Sequence, residues 1–191
     1  MPKGIDEGNT VEKIAQALGK RLKGSGDSSD MYTSIGTNVL VALNPYMSLS
    51  KAKVGLYDDP VALHYWTASP HLSSPHVFKT ATSALQRLVA FHRDQTVIIT
   101  GESGAGKTET AKHMVTFLAH IAGLSDPQSR HSAKGRHAAS VTKGLLDSNP
   151  VLEAFGNAAT NHNGNSSRFG KLLELKFAGA HVASGLVHTC V

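Results

Sequence analysis

The chain has one cysteine, Cys190, among 191 residues. No intrachain disulfide can form, so stability has to come from a packed core, as in proteins of reducing compartments. No apolar run approaches the roughly 20 residues that span a bilayer. The opening "MPKGIDEGNT" lacks the apolar core of a secretion signal. These absences predict a soluble cytoplasmic chain without membrane insertion. Charged residues make up only 17% and form no long run, which argues against a nucleic-acid partner. The net charge of +5 fits an ordinary solvated surface, or anionic ligands such as phosphates. The eleven histidines show no metal-ligand spacing; His131 and His137 lie in a polar stretch and read as solvated.

Hydrophobic residues reach 40%, the composition of a globular domain. Val11, Ile14, Ala15, Leu18 and Leu22 recur at helical spacing. "GSGDSSD" (24–30) then reads as a flexible polar linker, making 1–30 a helix plus linker ahead of a domain over 31–191. Val39 to Leu43 is a short apolar run ending at Asn44-Pro45, a strand covered on both faces. Loop and short helix are expected over 46–75. From Pro75 a helix is predicted, with Phe78, Ala81, Leu85, Leu88 and Phe91 inward. "QTVIITG" (95–101) reads as a short buried strand rich in β-branched residues, and helical spacing returns at Ala111, Met114, Val115, Leu118 and Ala122. Residues 123–143 are polar and basic and predict a long surface loop, with a new helix starting at Pro150 and capped by Asn149. "KLLELKF" (171–177) alternates, placing Leu173, Leu175 and Phe177 on one strand face, and "VASGLVHTCV" reads as the returning strand. Strand and helix in this order predict an α/β fold, helices packed on a mostly parallel twisted sheet.

"TGESGAGKTETAK" (100–112) carries the most specific chemistry. Gly101, Gly106, Lys107 and Thr108 satisfy G-x-x-x-x-G-K-[ST], between an expected strand and a helix. Glycines let backbone N–H groups turn toward an anion, and the helix N-terminus adds positive partial charge. Lys107 suits the β- and γ-phosphates, and the Thr108 hydroxyl suits Mg²⁺. The loop binds phosphates; kinases, GTPases, ATPases and motors all use it. A second polar cluster, "NHNGNSSRFGK" (161–171), is on its own a loop of Asx and Ser turns. Beside a phosphate loop, Ser166 and Ser167 suit a second Mg²⁺ ligand and a water-positioning group, and Arg168 suits charge stabilisation or a latch onto a carboxylate.

Together, "GESGAGKTET" and "SNPVLEAFGNAATNHNGNSSRFGKLLELKF" resemble the myosin motor domain, and "MYTSIGTNVLVALNPY" and "PHVF" fall in the same order as in that family. The continuation "RFGK" separates the pattern from kinesins. The resemblance covers roughly residues 11 to 191 and implies a P-loop NTPase core that binds ATP with Mg²⁺. It places Gly101, Glu102, Ser103, Gly104, Ala105, Gly106, Lys107 and Thr108 on the phosphates, with Asn163 as the phosphate-contacting asparagine of the first switch (161–171). Ser166 corresponds to the serine near the attacking water, Thr108 and Ser167 to the Mg²⁺ ligands, and Arg168 to the partner of a second-switch glutamate. Asn44 and Pro45 match residues beside the adenine, whereas "MSLSKAK" separates Tyr57 from that position. Ala159 stands where the family often has lysine. Residues 123–143 fall where the family carries its variable nucleotide-gate loop.

The family's DxxGFE-like second switch, relay helix, converter, lever and most of its actin-binding surface have no counterpart here. The chain is therefore expected to be the N-terminal part of a motor domain, incomplete at its C-terminal end. It is expected to bind Mg-ATP weakly without turnover at motor rates. For the whole motor the resemblance implies actin-activated ATP hydrolysis on actin filaments, with light chains or calmodulin on a lever, in a cytoskeletal myosin complex. The alternative is a myosin-like nucleotide-binding or actin-tethering module without motility, fused to another domain.

Overall fold

A computed structural model describes residues 11–24, 31–44, 55–68, 73–124, 133–161 and 163–190. Pro45, most of the linker 24–30 and the centre of the expected gate loop lie outside the described residues. The order is α1 (Val11–Gly24), β1 (Tyr32–Ile35), β2 (Val39–Ala42), α2 (Asp59–Thr67), α3 (Val77–Phe91), α4 (Lys107–Leu124), α5 (Ala133–Gly156), β3 (Asn157–Ala158), β4 (Ser166–Ser167), β5 (Gly170–Ala178) and β6 (His181–Cys190).

The core lies where α3 meets α4. Phe78 and Phe117 stack with ring centroids 4.2 Å apart, and Ala81, Leu85, Met114 and Ile121 fill the seam. Burying such side chains stabilises by about 1.5–3 kcal/mol each, so this contact fixes how the helix after the glycine loop is held. Phe78, Ala81 and Leu85 point inward as their spacing predicts, whereas Phe91, expected inward, is 68% exposed in the last turn of α3. His76 caps α3: its Nδ1 accepts the Phe78 N–H at 3.0 Å, doing by imidazole what a Ser or Asp side chain usually does. Burial lowers the pKa of His76 to about 4, against a weaker opposing pull from the Leu56 backbone.

Among the described residues the strands form three antiparallel pairs, β1 with β2, β3 with β4 and β5 with β6. They neither build the expected parallel sheet nor exclude it. Two expectations about strands change. β2 does form from Val39 as half of a hairpin, but Val39 is 54% exposed rather than covered on both faces. Residues 92–100 take no regular structure, and Ile98 is 83% exposed. β-branched side chains favour an extended backbone, yet a strand also needs a neighbour to complete its hydrogen-bond ladder, and the described residues provide none there.

The expectations for 123–143 and Pro150 are corrected together. From Ala133 the chain is helical, and α5 runs unbroken through Pro150 to Gly156. Ala138, Thr142 and Leu145 are buried at i, i+4 and i+7. A Cβ at Gly185 of β6 would lie 2.6 Å from Leu145 Cδ1, so the glycine is what lets α5 seat on the hairpin. Packing outweighs the roughly 3 kcal/mol that an interior proline costs. Asn149, expected as a cap, instead accepts from Lys171 Nζ at 3.2 Å. His137 is exposed, as expected of a solvated side chain, and sits on α5 with Nε2 2.8 Å from the Ala183 carbonyl oxygen.

The β5–β6 hairpin follows its alternation. Leu173, Leu175 and Phe177 face the protein and Glu174 and Lys176 face out. Gly179, with φ of 63°, starts the two-residue turn, where a positive φ favours glycine.

Candidate functional site: a glycine loop tied to a polar loop

Residues 101–106 bend sharply at the N-terminus of α4. Gly101, Gly104 and Gly106 have φ of 154°, 81° and 93°, values that side chains oppose. Ala105 donates its N–H to the Glu102 carbonyl at 3.2 Å, closing a tight turn at the loop tip. Lys107 folds back across the loop, with Nζ 2.8 Å from both the Gly101 and the Glu102 carbonyl oxygens. Two of its three ammonium donors are thus used and one remains. Thr108 lies in the first turn of α4, its side chain partly buried.

Two distant segments reach this tip. From the end of the β1–β2 hairpin, Asn44 donates Nδ2–H to the Gly104 carbonyl at 2.8 Å. From the polar loop, Ser103 Oγ donates to Ser166 Oγ at 2.8 Å, and Asn163 Nδ2 donates to Ser103 Oγ at 3.0 Å. Ser166 is buried, 1% exposed. Asn44, Ser103, Gly104, Asn163 and Ser166 therefore form one hydrogen-bonded cluster drawn from three separate stretches of chain.

The polar loop is stiffened by residues to which sequence reading assigned no role. Thr160 exchanges two bonds with Asn163, its Oγ1 donating to the Asn163 carbonyl and accepting the Asn163 N–H, each at 3.1 Å. Asn163 Oδ1 accepts the Asn165 N–H at 3.0 Å, an Asx turn. Asn165 Oδ1 in turn accepts from Asn157 Nδ2 at 2.8 Å, and its Nδ2 donates to Glu153 Oε2 at 3.2 Å. The N-x-N spacing was the available signal. Behind the loop the Phe169 ring lies where a Cβ on Gly156 would sit, and the Arg168 N–H donates to the Gly156 carbonyl at 3.1 Å.

The remaining expected residues lie at the margin. Ser167 is exposed and donates Oγ–H to the Phe169 carbonyl at 3.0 Å, which leaves the lone pairs of its oxygen available. Arg168 is exposed and makes no ion pair among the described residues. Tyr57 pairs with other ring side chains: its hydroxyl lies 2.8 Å from that of Tyr32, and its ring stacks on His113 at 3.5 Å. Burial raises the Tyr57 pKa and lowers that of His113. Among the described residues no group of three or more His, Cys, Asp or Glu is placed to hold a metal ion.

A positive-φ glycine loop at a helix N-terminus, followed by a lysine and a threonine, has the form of a phosphate loop. Comparison with known proteins narrows this. The family described as myosin head (motor domain) matches residues 10–189. The chain is 39% identical over 175 residues to Myosin-1 of Sclerotinia sclerotiorum, covering 91% of this chain and 13% of that one. It is 41% identical over 176 residues to Myosin-1 of Aspergillus terreus, with the same coverage. Against unconventional myosin-Ia of Bos taurus it is 40% identical over 175 residues, covering 91% of this chain and 15% of that one. The chain belongs to the myosin head (motor domain) family, and it spans less than a sixth of the length of these relatives.

Proposed function

We propose that the chain supplies the nucleotide-binding part of an actin-based motor head. ATP is the ligand, Mg²⁺ its cation and actin filaments the partner of the whole motor. The observation that carries this reading is the bridge from Ser103 to Asn163 and Ser166, because a switch loop reports on a phosphate only if it meets the phosphate loop. Gly101 to Gly106 and the α4 N-terminus fit a triphosphate, with Lys107 as the point charge. The Thr108 and Ser167 hydroxyls fit the Mg²⁺ shell, since both oxygens retain lone pairs. Mg²⁺ supplies charge neutralisation on the phosphates. Pro45, which lies outside the described residues, is assigned with Asn44 to the base by the family resemblance alone.

Ser166, Ser167 and Arg168 sit on the polar loop, and a loop tied to the cradle by two hydroxyls and an amide can order or release when the terminal phosphate changes. Arg168, exposed, suits a carboxylate that closes over the site. The order of parts is a helix and linker over 1–30, then a partial motor domain over 31–191. In the full motor the output is actin-activated ATP hydrolysis in a cytoplasmic, cytoskeletal setting, with light chains or calmodulin on a lever. Among the described residues no helix is long and apolar enough to cross a membrane.

Actin-stimulated phosphate release by the 191-residue chain tests the reading. Mg-ATP binding without motor-rate turnover is expected; robust turnover would show that no second switch is needed.

A further inference from the structure

We infer that Asn44 is a positioning residue of the phosphate loop, acting through the Gly104–Ala105 peptide. The inference rests on the phosphate-binding reading above. A peptide unit is planar, so the carbonyl of Gly104 and the N–H of Ala105 turn as one body on opposite sides of it. Both ends of that body are held: Gly104 O by Asn44 Nδ2 at 2.8 Å, and Ala105 N–H by the Glu102 carbonyl at 3.2 Å. Gly104, with φ of 81°, has no Cβ to resist a turn of this peptide. An anion needs N–H groups turned toward it, and a carbonyl that flips inward repels it. The Asn44 amide prevents that flip. It also lies 4.0 Å from where a Gly106 Cβ would be, so it runs beside two of the three loop glycines. Its own backbone is fixed by the hairpin next to it, where Leu43 N–H donates to the Met31 carbonyl at 2.8 Å.

A residue that only touched the base would matter for ATP and not for a bare phosphate chain. The test is therefore the affinity of the chain and of Asn44→Ala for Mg-tripolyphosphate and for Mg-ATP, with amide hydrogen exchange at Ala105 in the ligand-free protein. Losing one such hydrogen bond predicts that both affinities fall by the same factor, about fivefold, and that Ala105 exchanges faster by a similar factor. Asn44→Leu keeps the size, removes the donor without adding charge and serves if the alanine variant does not fold; the same results are expected. A drop for Mg-ATP with tripolyphosphate unchanged would assign Asn44 to the base, and unchanged Ala105 exchange would remove the brace; either overturns the inference. If the parent chain binds no tripolyphosphate, the phosphate-site reading itself fails.

Discussion

Ser103 and Ser166 lie 63 residues apart in sequence, and their hydroxyl oxygens are 2.8 Å apart. Ser103 is at the exposed tip of the glycine loop and Ser166 is buried, so the bond pins a surface loop to an interior strand residue. Ser103 also accepts from Asn163, so removing its hydroxyl cuts two links at once. Ser103→Ala should speed amide exchange over 163–166 by about thirtyfold. Two neutral hydrogen bonds contribute on the order of 1 kcal/mol each, and their loss falls on local opening more than on global stability. Exchange followed by mass spectrometry checks this; unchanged protection would mean that Thr160 and Asn157 hold the loop unaided.

Two glycines of α5 separate packing from propensity. At Gly156 a side chain would strike the Phe169 ring, so Gly156→Ala should destabilise by about 1–3 kcal/mol. At Gly144 nothing lies within 4 Å, and Gly144→Ala should stabilise by about 0.5–1 kcal/mol through helix propensity. Urea unfolding of the two variants reads both signs.

His76 predicts how stability depends on pH. Its folded pKa is about 4, below the ordinary value of 6.5. The unfolded chain therefore binds the proton more readily, and stability falls as pH drops from about 6.5 toward 4. The loss, once both states are protonated, is on the order of 3 kcal/mol. The groups facing His76 are the Tyr32, Tyr57, Tyr65 and Phe78 rings, and a protonated His113 opposes its charge. His76→Asn keeps a capping side chain and should flatten the acid limb of the stability–pH curve; an unchanged limb would place the proton elsewhere.

What could be read ahead of the structure divides by the range of the forces involved. The glycine loop, the alternation of β5 and the inward face of α3 depend on neighbours a few residues away, and all three are present. Pro150 misled because a local start signal was outweighed by the seat that Leu145 finds over Gly185. The stretch around Ile98 misled for the opposite reason: its preference for an extended backbone is local, but a ladder needs another segment. The site was legible as two separate motifs. That Asn44 would reach Gly104, and Ser103 would reach Ser166, depends on how three stretches meet, which no spacing within any of them encodes.

The central claim is that residues 101–108 are a working phosphate cradle. Titrating Mg-ATP into the chain and into Lys107→Ala tests it most directly. Lys107 carries the loop's ammonium, and removing a charged hydrogen-bond donor costs about 1.5–3 kcal/mol or more, a drop in affinity of at least about tenfold. Saturable binding by the chain, lost or weakened at least tenfold in the variant, is the predicted result. Equal binding by both, or none by the parent chain, would contradict it.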